Sequence, residues 1–166
     1  MDVEAGRAYH IKDEFYTLVK DESLMKNKEN GNYRPHVFML PDSNVAGLYW
    51  AIPISSRVEK FKEIYNEKLE KYGRCDTIEI AQFAGEERAY LIQNMFPVIE
   101  RYVDHEHTVD NIPVRIHDGL KDILETKMNR VLSLHKKGIS LVYTDINRLY
   151  DLMVNESKET PNDQET

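Results

Sequence analysis

The segment that decides the fold is Gly47-Leu-Tyr-Trp-Ala-Ile-Pro-Ile-Ser-Ser-Arg-Val-Glu-Lys-Phe61, in which an apolar and aromatic run precedes hydroxyls and cations. The run through Ile54 has the composition of a β-strand, and apolar residues after Arg57 recur at helical spacing. The segment therefore predicts a strand that leads directly into a helix. Because the first turn of a helix has free N–H groups and a dipole that favours anions, this junction is a candidate phosphate site.

The composition is typical of a soluble globular protein. Of the 166 residues, 41% are hydrophobic and 31% are charged, and no apolar run is long enough to cross a bilayer. Residues 1–10 lack the pattern of a secretory signal, and the single cysteine excludes an intrachain disulfide. We therefore expect a cytoplasmic protein with one domain over residues 1–154 and a polar, acidic, disordered tail over 155–166.

The distribution of charge favours a specific RNA partner over general nucleic-acid binding. The net charge of −7 argues against a DNA-binding protein or an indiscriminate phosphate binder. The tail carries −3, from four acidic residues and one lysine, whereas residues 54–74 carry +2, from six basic and four acidic residues. Lys26, Lys28 and Arg34 add a second small basic group. A local basic face on an acidic protein fits a specific RNA.

The hydrophobic pattern predicts an α+β fold with a bent antiparallel sheet or open barrel and helices packed against it. Strands and helices do not alternate regularly as in a parallel βαβ architecture, which favours the α+β class. The predicted strands form hairpins and a bent edge strand, and they span residues 35–40, 48–54, 77–83, 88–93 and 96–103, with a possible strand within 8–19 and an exposed loop over 20–32. The predicted helices are 57–72 ended by Gly73, 118–137 capped by Asp118 and ended by Gly138, and 145–153 capped by Thr144.

Two interpretations of Ser56 are open at the strand–helix junction. Ser56-Arg-Val-Glu59 matches a capping box, in which the serine hydroxyl bonds a backbone N–H of the first turn. Alternatively, the hydroxyl contacts a phosphate oxygen or transfers a proton, while Arg57 and Lys60 stabilise charge on a phosphorane transition state. Capping is the commoner reason for this spacing, although a cap can also bind a ligand.

Three side chains before the first strong strand are further candidates. Arg34 can donate two hydrogen bonds to a phosphate, and His36 titrates near neutrality, which suits a general acid or base. The alternative is a solvated loop with a half-buried histidine. Tyr33, Tyr49 and Trp50 could stack on single-stranded bases, although core packing accounts for most aromatic residues.

The sequence contains no strong metal or nucleotide motif. His105-Glu106-His107 is an isolated pair of histidines without a second cluster, so we interpret it as a surface loop and assign no metal. Walker, dinucleotide-binding and serine-hydrolase signatures are missing from the sequence.

Two blocks of sequence resemble a known family. Leu48-Tyr-Trp-Ala-Ile-Pro-Ile-Ser-Ser-Arg-Val-Glu-Lys60 and Ala89-Tyr-Leu-Ile-Gln-Asn-Met-Phe-Pro-Val98 resemble the endoribonuclease toxins of type III toxin–antitoxin systems, the ToxN/AbiQ superfamily, and most of all its CptN and TenpN branches. The resemblance runs in the same order over residues 33–150.

The resemblance implies a metal-independent RNase without a cofactor, on a bent sheet similar to the MazF and CcdB toxins. It implies cleavage of adenosine-rich target mRNA to 2′,3′-cyclic phosphate and 5′-hydroxyl ends. It also implies cleavage of the toxin's own repetitive antitoxin transcript, whose RNA pseudoknots then inhibit the toxin. Such complexes are closed rings of alternating protein and RNA, and some members abort phage infection.

The resemblance also assigns residues. The family's active-site serine falls on Ser56, preceded by Ser55, and its upstream cation falls on Arg34, with His36 close by. The lysine that the better-known branch carries two residues after the serine is Val58 here, so Lys60 becomes the candidate for holding phosphate. The catalytic candidates are Ser56, Ser55, Lys60, Arg34, Tyr33 and His36, and the RNA-binding candidates are Arg57, Lys60, Lys62, Tyr49, Trp50, Lys26 and Lys28.

Two other functions remain open from the sequence. A non-catalytic RNA-binding regulator would use the same basic and aromatic face, and would bind RNA without cutting it. A protein-interaction module would show no RNA affinity that depends on salt.

Overall fold

A computed structural model describes residues 2–159, and its centre is a seven-stranded antiparallel sheet. The chain forms eleven strands within these residues: β1 Ala8–Ile11, β2 Lys28–Glu29, β3 Asn32–Tyr33, β4 His36–Pro41, β5 Leu48–Ser55, β6 Glu79–Phe83, β7 Glu86–Tyr90, β8 Phe96–Ile99, β9 Val103–Glu106, β10 Thr108–Val109 and β11 Ile112–Pro113. The main sheet has the order β6-β7-β5-β4-β1-β9, and β8 also pairs with β5. The pairs β2–β3 and β10–β11 are separate small hairpins.

The sheet bends at β5, because two strands share one edge of this strand. β4 pairs along one edge of β5, whereas on the other edge β8 pairs with residues 48–51 and β7 pairs with Ile54 and Ser55. The partner changes near Pro53, which lacks the N–H that a regular ladder needs. The sheet does not close, since β6 and β9 remain its outer strands. The predicted α+β class with a bent antiparallel sheet is confirmed.

Helices cover both faces of the sheet. The four α-helices of the described residues are α1 Asp13–Val19, α2 Val58–Tyr72, α3 Asp118–Lys136 and α4 Ile146–Lys158. Alternation along β4 directs Val37 toward α3 and Phe38 toward α1 and α4, and each contributes to a separate hydrophobic cluster. α2 packs beside β6 and β7 through Phe61. None of the helices within residues 2–159 is long and apolar enough to cross a membrane.

The hairpin β4–β5, the hairpin β6–β7 and helix α2 agree with the sequence prediction. Gly73 ends α2 in the left-handed conformation with φ of 73°, and its N–H bonds the carbonyl of Leu69 at 2.8 Å. An L side chain is strained at this φ, which explains the glycine.

The possible strand within residues 8–19 is only partly correct. Residues 13–19 form α1, in which Phe15 and Val19 lie four residues apart and are both fully buried. Asp13 and Glu14 occupy the first turn, where acidic side chains favour the helix dipole. The predicted loop over residues 20–32 is not entirely irregular, because it contains β2 and the first residue of β3, which pair as a small hairpin. The predicted strand over residues 96–103 is interrupted by a 3-10 turn at Glu100–Tyr102.

The two predicted helix caps are also wrong by one residue each. His117 rather than Asp118 caps α3, because its Nδ1 accepts the N–H of Leu120 at 3.1 Å. Asp145 caps α4, whereas the hydroxyl of Thr144 donates to the carbonyl of Met95 at 2.7 Å.

The last helix extends further than the sequence predicted. α4 continues to Lys158, and Glu156 accepts hydrogen bonds from Arg101 at 3.0 Å and from the hydroxyl of Tyr102 at 2.7 Å. Residues 155–158 therefore belong to the folded part of the chain. The remainder of the predicted tail, from residue 160, lies outside the described residues.

Candidate active site

A cleft of about 480 Å³ lies at one end of the sheet. At this end β4 begins, β5, β6 and β9 end, and the chain enters β7. Among the side chains that line the cleft are the aromatic, cationic and hydroxyl groups of Tyr33, Arg34, Ser56, Phe83, Arg88 and His107. The cleft therefore brings together residues from four separate parts of the sequence, at 29–35, 54–56, 83–88 and 107–109.

The two serines of the strand–helix junction have different environments. Ser55 is buried, and its Oγ accepts the backbone N–H of Arg57 at 3.2 Å. Ser56 is exposed and lines the cleft. α2 begins at Val58 with Arg57 at the N-cap and without a side-chain cap bond, so the predicted capping box does not form. The hydroxyl of Ser56 is consequently available to a ligand, while Ser55 has the structural role.

Arg34 lies at the wall of the cleft in a fixed orientation. Its guanidinium donates to the carbonyl of Ile54 at 2.8 Å, to the carbonyl of Lys26 at 3.1 Å and to the carboxylate of Glu29 at 3.0 Å. Glu29 also accepts from Nε of Arg57 at 3.1 Å. The carboxylate of Glu29 therefore lies between the guanidinium groups of Arg34 and Arg57, and this position also suits another anion such as a phosphate.

The second arginine of the cleft comes from the β6–β7 hairpin. Arg88 forms an ion pair with Glu86 and donates to the carbonyl of Glu87 at 2.8 Å. Arg88 is not among the residues predicted from the sequence, because no local motif marks it. Only the pairing of β7 with the end of β5 brings it to the same cleft as Ser56.

Tyr33 presents an exposed ring at the cleft. Its hydroxyl donates to the carboxylate of Asp13 at 2.8 Å, and this hydrogen bond is the main reason that the pKa of Asp13 is lowered. The ammonium group of Lys28 lies 4.5 Å from the centre of the Tyr33 ring. Asp13 therefore fixes the hydroxyl of Tyr33, and Lys28 contacts its aromatic ring.

His36 does not lie in the cleft. It is fully buried, with its ring edge on Phe96 and Nε2 at 3.4 Å from the hydroxyl of Tyr16. Burial, followed by the charge of Arg34, lowers its pKa to about 3. The interpretation of His36 as a general acid or base does not agree with this burial, since no substrate proton can reach its ring.

The predicted aromatic platform is not formed by Tyr49 and Trp50. Trp50 is buried, and its ring stacks on that of Tyr150 with 6.3 Å between the ring centres. The hydroxyl of Tyr49 donates to the carbonyl of Val3 at 3.0 Å. Neither lines the cleft. The alternative of core packing is therefore correct for these two residues.

The predicted lysines lie outside the cleft. Lys60 is exposed, with its ammonium group 5.3 Å from the ring centre of Phe61, and Lys62 forms an ion pair with Glu87. Lys26 and Lys28 are exposed on the segment before β4. Their predicted contacts with RNA stay predictions for the surface around the cleft.

His107 is a second cleft residue absent from the candidates, and the surface loop predicted for residues 105–107 is instead the end of β9 and the residue after it. His107 follows β9, its Nδ1 lies 2.8 Å from Nε2 of His10, and its ring stacks on Phe83 at 5.7 Å with an angle of 25° between the planes. The partners are 97 and 24 positions away, so no local pattern predicts them. Within residues 2–159, no group of three or more His, Cys, Asp or Glu side chains is arranged to hold a metal ion.

Comparison with known proteins identifies structural neighbours. No protein-family model and no curated protein matches the sequence. The lactococcal anti-phage endoribonuclease AbiQ, of a type III toxin–antitoxin system, superposes with a TM-score of 0.65 over 94% of this chain and 100% of its own, at 15% identity. A structure from bacterial type III systems, in which a non-coding RNA pseudoknot selectively inhibits the toxin, gives 0.57 over the same shares at 17% identity. The chain therefore has the fold of these type III toxin–antitoxin structures.

Proposed function

We propose that this protein is the toxin of a type III toxin–antitoxin system, a member of the ToxN/AbiQ superfamily closest to its CptN and TenpN branches. In this proposal it is an endoribonuclease that acts in the cytoplasm on adenosine-rich RNA. The fold it shares with AbiQ, itself an anti-phage endoribonuclease, supports the proposal. So do the two sequence blocks that resemble the family, because the first of them ends at the cleft.

The observation that carries the proposal is the environment of Ser56. Its hydroxyl is exposed, does not cap α2, and lies in a cleft with two arginines. A structural role would bury or engage a serine at a helix start, as is true of Ser55. A free hydroxyl beside fixed guanidinium groups is instead suited to a phosphodiester.

The proposed reaction is attack by a ribose 2′-hydroxyl on the adjacent phosphate. A substrate phosphate that displaced the carboxylate of Glu29 would meet Arg34 and Arg57, and Arg88 would face it from β7. These cations stabilise the charge of the phosphorane, and Ser56 donates to a phosphate oxygen. Tyr33 is the proposed acid for the leaving 5′-oxygen, to which its hydroxyl would turn from the carboxylate of Asp13. Because the RNA supplies its own nucleophile, positioning and charge stabilisation can perform the catalysis without a metal or cofactor.

The proposal includes the partners that the resemblance implies. An antitoxin RNA with pseudoknot repeats would be both a substrate and the inhibitor, as the RNA inhibition of the second neighbour suggests. A closed ring of alternating protein and RNA would be the inactive form. Free protein would cleave target mRNA, with phage defence as one biological use.

The test is cleavage of an adenosine-rich RNA in the presence of EDTA. We expect wild-type protein to produce fragments with 2′,3′-cyclic phosphate ends, and Ser56→Ala to lose at least about 100-fold in rate. The same RNA with 2′-O-methyl groups should remain intact, because its nucleophile is blocked. End-group analysis by mass spectrometry measures the products.

Ser133→Ala is the matched control, since Ser133 is exposed on α3 away from the cleft. This variant should cleave at the wild-type rate. RNA that stays intact with folded wild-type protein would contradict the nuclease proposal for these substrates. RNA binding without cleavage would then support the non-catalytic regulator.

A further inference from the structure

Three histidines meet where β1 and β9 pair. His10 lies opposite His105 in the register of the two strands, and their rings stack at 4.6 Å with 21° between the planes. His107 follows the end of β9, and its Nδ1 lies 2.8 Å from Nε2 of His10. His10 and His107 thus form a hydrogen-bonded pair, and only His107 of this pair lines the cleft.

The orientation of His107 is fixed on two sides. The contact with His10 engages Nδ1, so Nε2 is the nitrogen that can meet a substrate. The ring face lies on Phe83, at the end of β6. Because β6 and β9 are the two outer strands of the sheet, this stacking contact joins its open edges at the cleft that contains Ser56.

His10 has the properties of a positioning residue. It is 8% exposed, and its Nδ1 is buried without a partner among residues 2–159, so the side-chain hydrogen bond of His10 goes to His107. Burial, followed by the charges of His107 and His105, lowers its pKa to about 4. A neutral His10 can therefore accept the Nδ1–H of His107 at neutral pH, whether His107 is neutral or protonated.

The electrostatic environment of His107 favours a base. Burial, followed by the charge of His105, lowers its pKa below the ordinary 6.5, so its ring is mainly neutral at pH 7. The charged or titratable groups around it are His10 on β1, His105 on β9, Glu86 and Arg88 on β7, and Glu29 and Arg34 across the cleft. Each of the two carboxylates is paired with an arginine, so the neutral imidazole of His107 is the group at this cleft that is suited to accept a proton.

We propose that His107 is the general base of the RNA cleavage and that His10 positions it. This inference rests on the proposed function. Nε2 takes the proton of the 2′-hydroxyl, the 2′-oxygen forms a bond to phosphorus, and the bond from phosphorus to the 5′-oxygen breaks. The leaving 5′-oxygen takes a proton from Tyr33, and solvent afterwards restores both side chains. A general base within hydrogen-bond reach of the proton that it abstracts contributes about 100- to 10,000-fold in rate.

The experiment compares His107→Gln and His107→Ala with wild type across pH 4.5–8.5, on the RNA substrate described above. The wild-type rate should rise with pH as His107 loses its proton, and level off below the ordinary histidine pKa. Both variants should lose at least about 100-fold at pH 7 and lose this rise. Added imidazole should restore part of the rate of His107→Ala. His135→Gln, on α3 and bonded to Asn147, is the control and should keep the wild-type profile.

Variants of His10 test the positioning role. His10→Gln retains an acceptor where Nε2 lies, whereas His10→Ala removes it. We expect His10→Ala to lower kcat with little change in KM and to move the pH profile, and His10→Gln to recover much of the loss. Circular dichroism and urea unfolding show whether each variant is folded.

The outcomes separate this inference from the proposed function. If wild-type protein cleaves RNA and folded His107→Gln cleaves equally well with the same pH profile, the assignment of the base is wrong and the nuclease stands. If wild-type protein leaves RNA intact, the proposed function falls, and the role of His107 falls with it. If His107→Ala loses cleavage and added imidazole partly restores it, the result supports both the nuclease function and the role of His107 as its base.

Discussion

At the scale of single residues, environment decides which of two like side chains a ligand can reach. His36 and His107 carry the same imidazole, yet His36 is fully buried in the core and His107 borders the cleft. Ser55 and Ser56 differ in the same way, since only Ser55 bonds the backbone of Arg57. Residue type alone is therefore a weak guide to the chemistry of these four positions.

The burial of His36 predicts a loss of stability in acid. In the unfolded chain His36 takes up a proton below pH 6.5, whereas in the folded chain it stays neutral until about pH 3, so protons favour the unfolded state. The free energy of unfolding should therefore fall by about 3 kcal/mol between pH 7 and pH 4 through this residue. Urea denaturation at the two pH values measures the difference.

His36→Gln should remove the part of this pH dependence that comes from His36, because glutamine does not titrate, while the part from His10, whose pKa burial also lowers, remains; the variant will be less stable at pH 7. His135→Gln is the control, since His135 is only partly buried and its ring bonds Asn147 on the helical side of the molecule. An unchanged pH dependence in His36→Gln would contradict the assignment.

At the scale of elements, the junction between β5 and α2 is the part that the cleft depends on most. Ser55 ends β5 opposite Ala89, and its hydroxyl holds the N–H of Arg57 where α2 begins. This hydrogen bond sets the turn that leaves Ser56 exposed. The junction therefore supplies both a structural serine and an available one within two residues.

Substitution of the two serines should have opposite effects. Ser55→Ala removes the hydrogen bond to the N–H of Arg57, so the free energy of unfolding should fall by about 1 kcal/mol while cleavage stays within a few-fold of wild type. Ser56→Ala should leave stability within about 0.5 kcal/mol of wild type and abolish cleavage. Urea denaturation and the RNA assay measure the two quantities on the same preparations. Equal losses of stability in both variants would contradict this division of roles.

At the scale of the whole molecule, an acidic chain presents a cleft with paired arginines. The net charge is −7, yet Arg34 and Arg88 line one cavity, each beside a glutamate. In the proposed function an RNA phosphate would have to compete with these carboxylates, which would disfavour non-specific binding. Affinity should therefore come from a few contacts in the cleft rather than from the overall field.

The salt dependence of RNA affinity tests this arrangement. In the non-cleaving Ser56→Ala background, Arg88→Gln should weaken binding and make the slope of log K against log salt shallower by about 1, because one phosphate contact is lost. Arg130→Gln is the control, since Arg130 pairs with Asp76 on the side of α3. Fluorescence anisotropy between 50 and 300 mM salt gives the slopes. Equal slopes for Arg88→Gln and Arg130→Gln would remove Arg88 from the binding surface.

Local patterns determined the elements whose signals lie within a few residues. The apolar and aromatic runs of β4 and β5, the helical spacing of α2 and the glycine that ends it were all predictable, and they established the α+β class. α1 was less clear, because a seven-residue helix has too few turns to show its period. The caps of α3 and α4 depended on which of two adjacent polar side chains turned toward the backbone, and spacing does not decide that.

By itself the sequence determined the class of fold, the strand–helix junction and the position of Ser56 within it, because each of these depends on neighbours in the chain. The tertiary structure decided which residues line the cleft. It buried His36 and Trp50, left Lys60 outside, and brought Arg88 and His107 to Ser56. The physical reason is that a bent antiparallel sheet aligns strand ends that are far apart in sequence, and the pairings that do so leave no local signal.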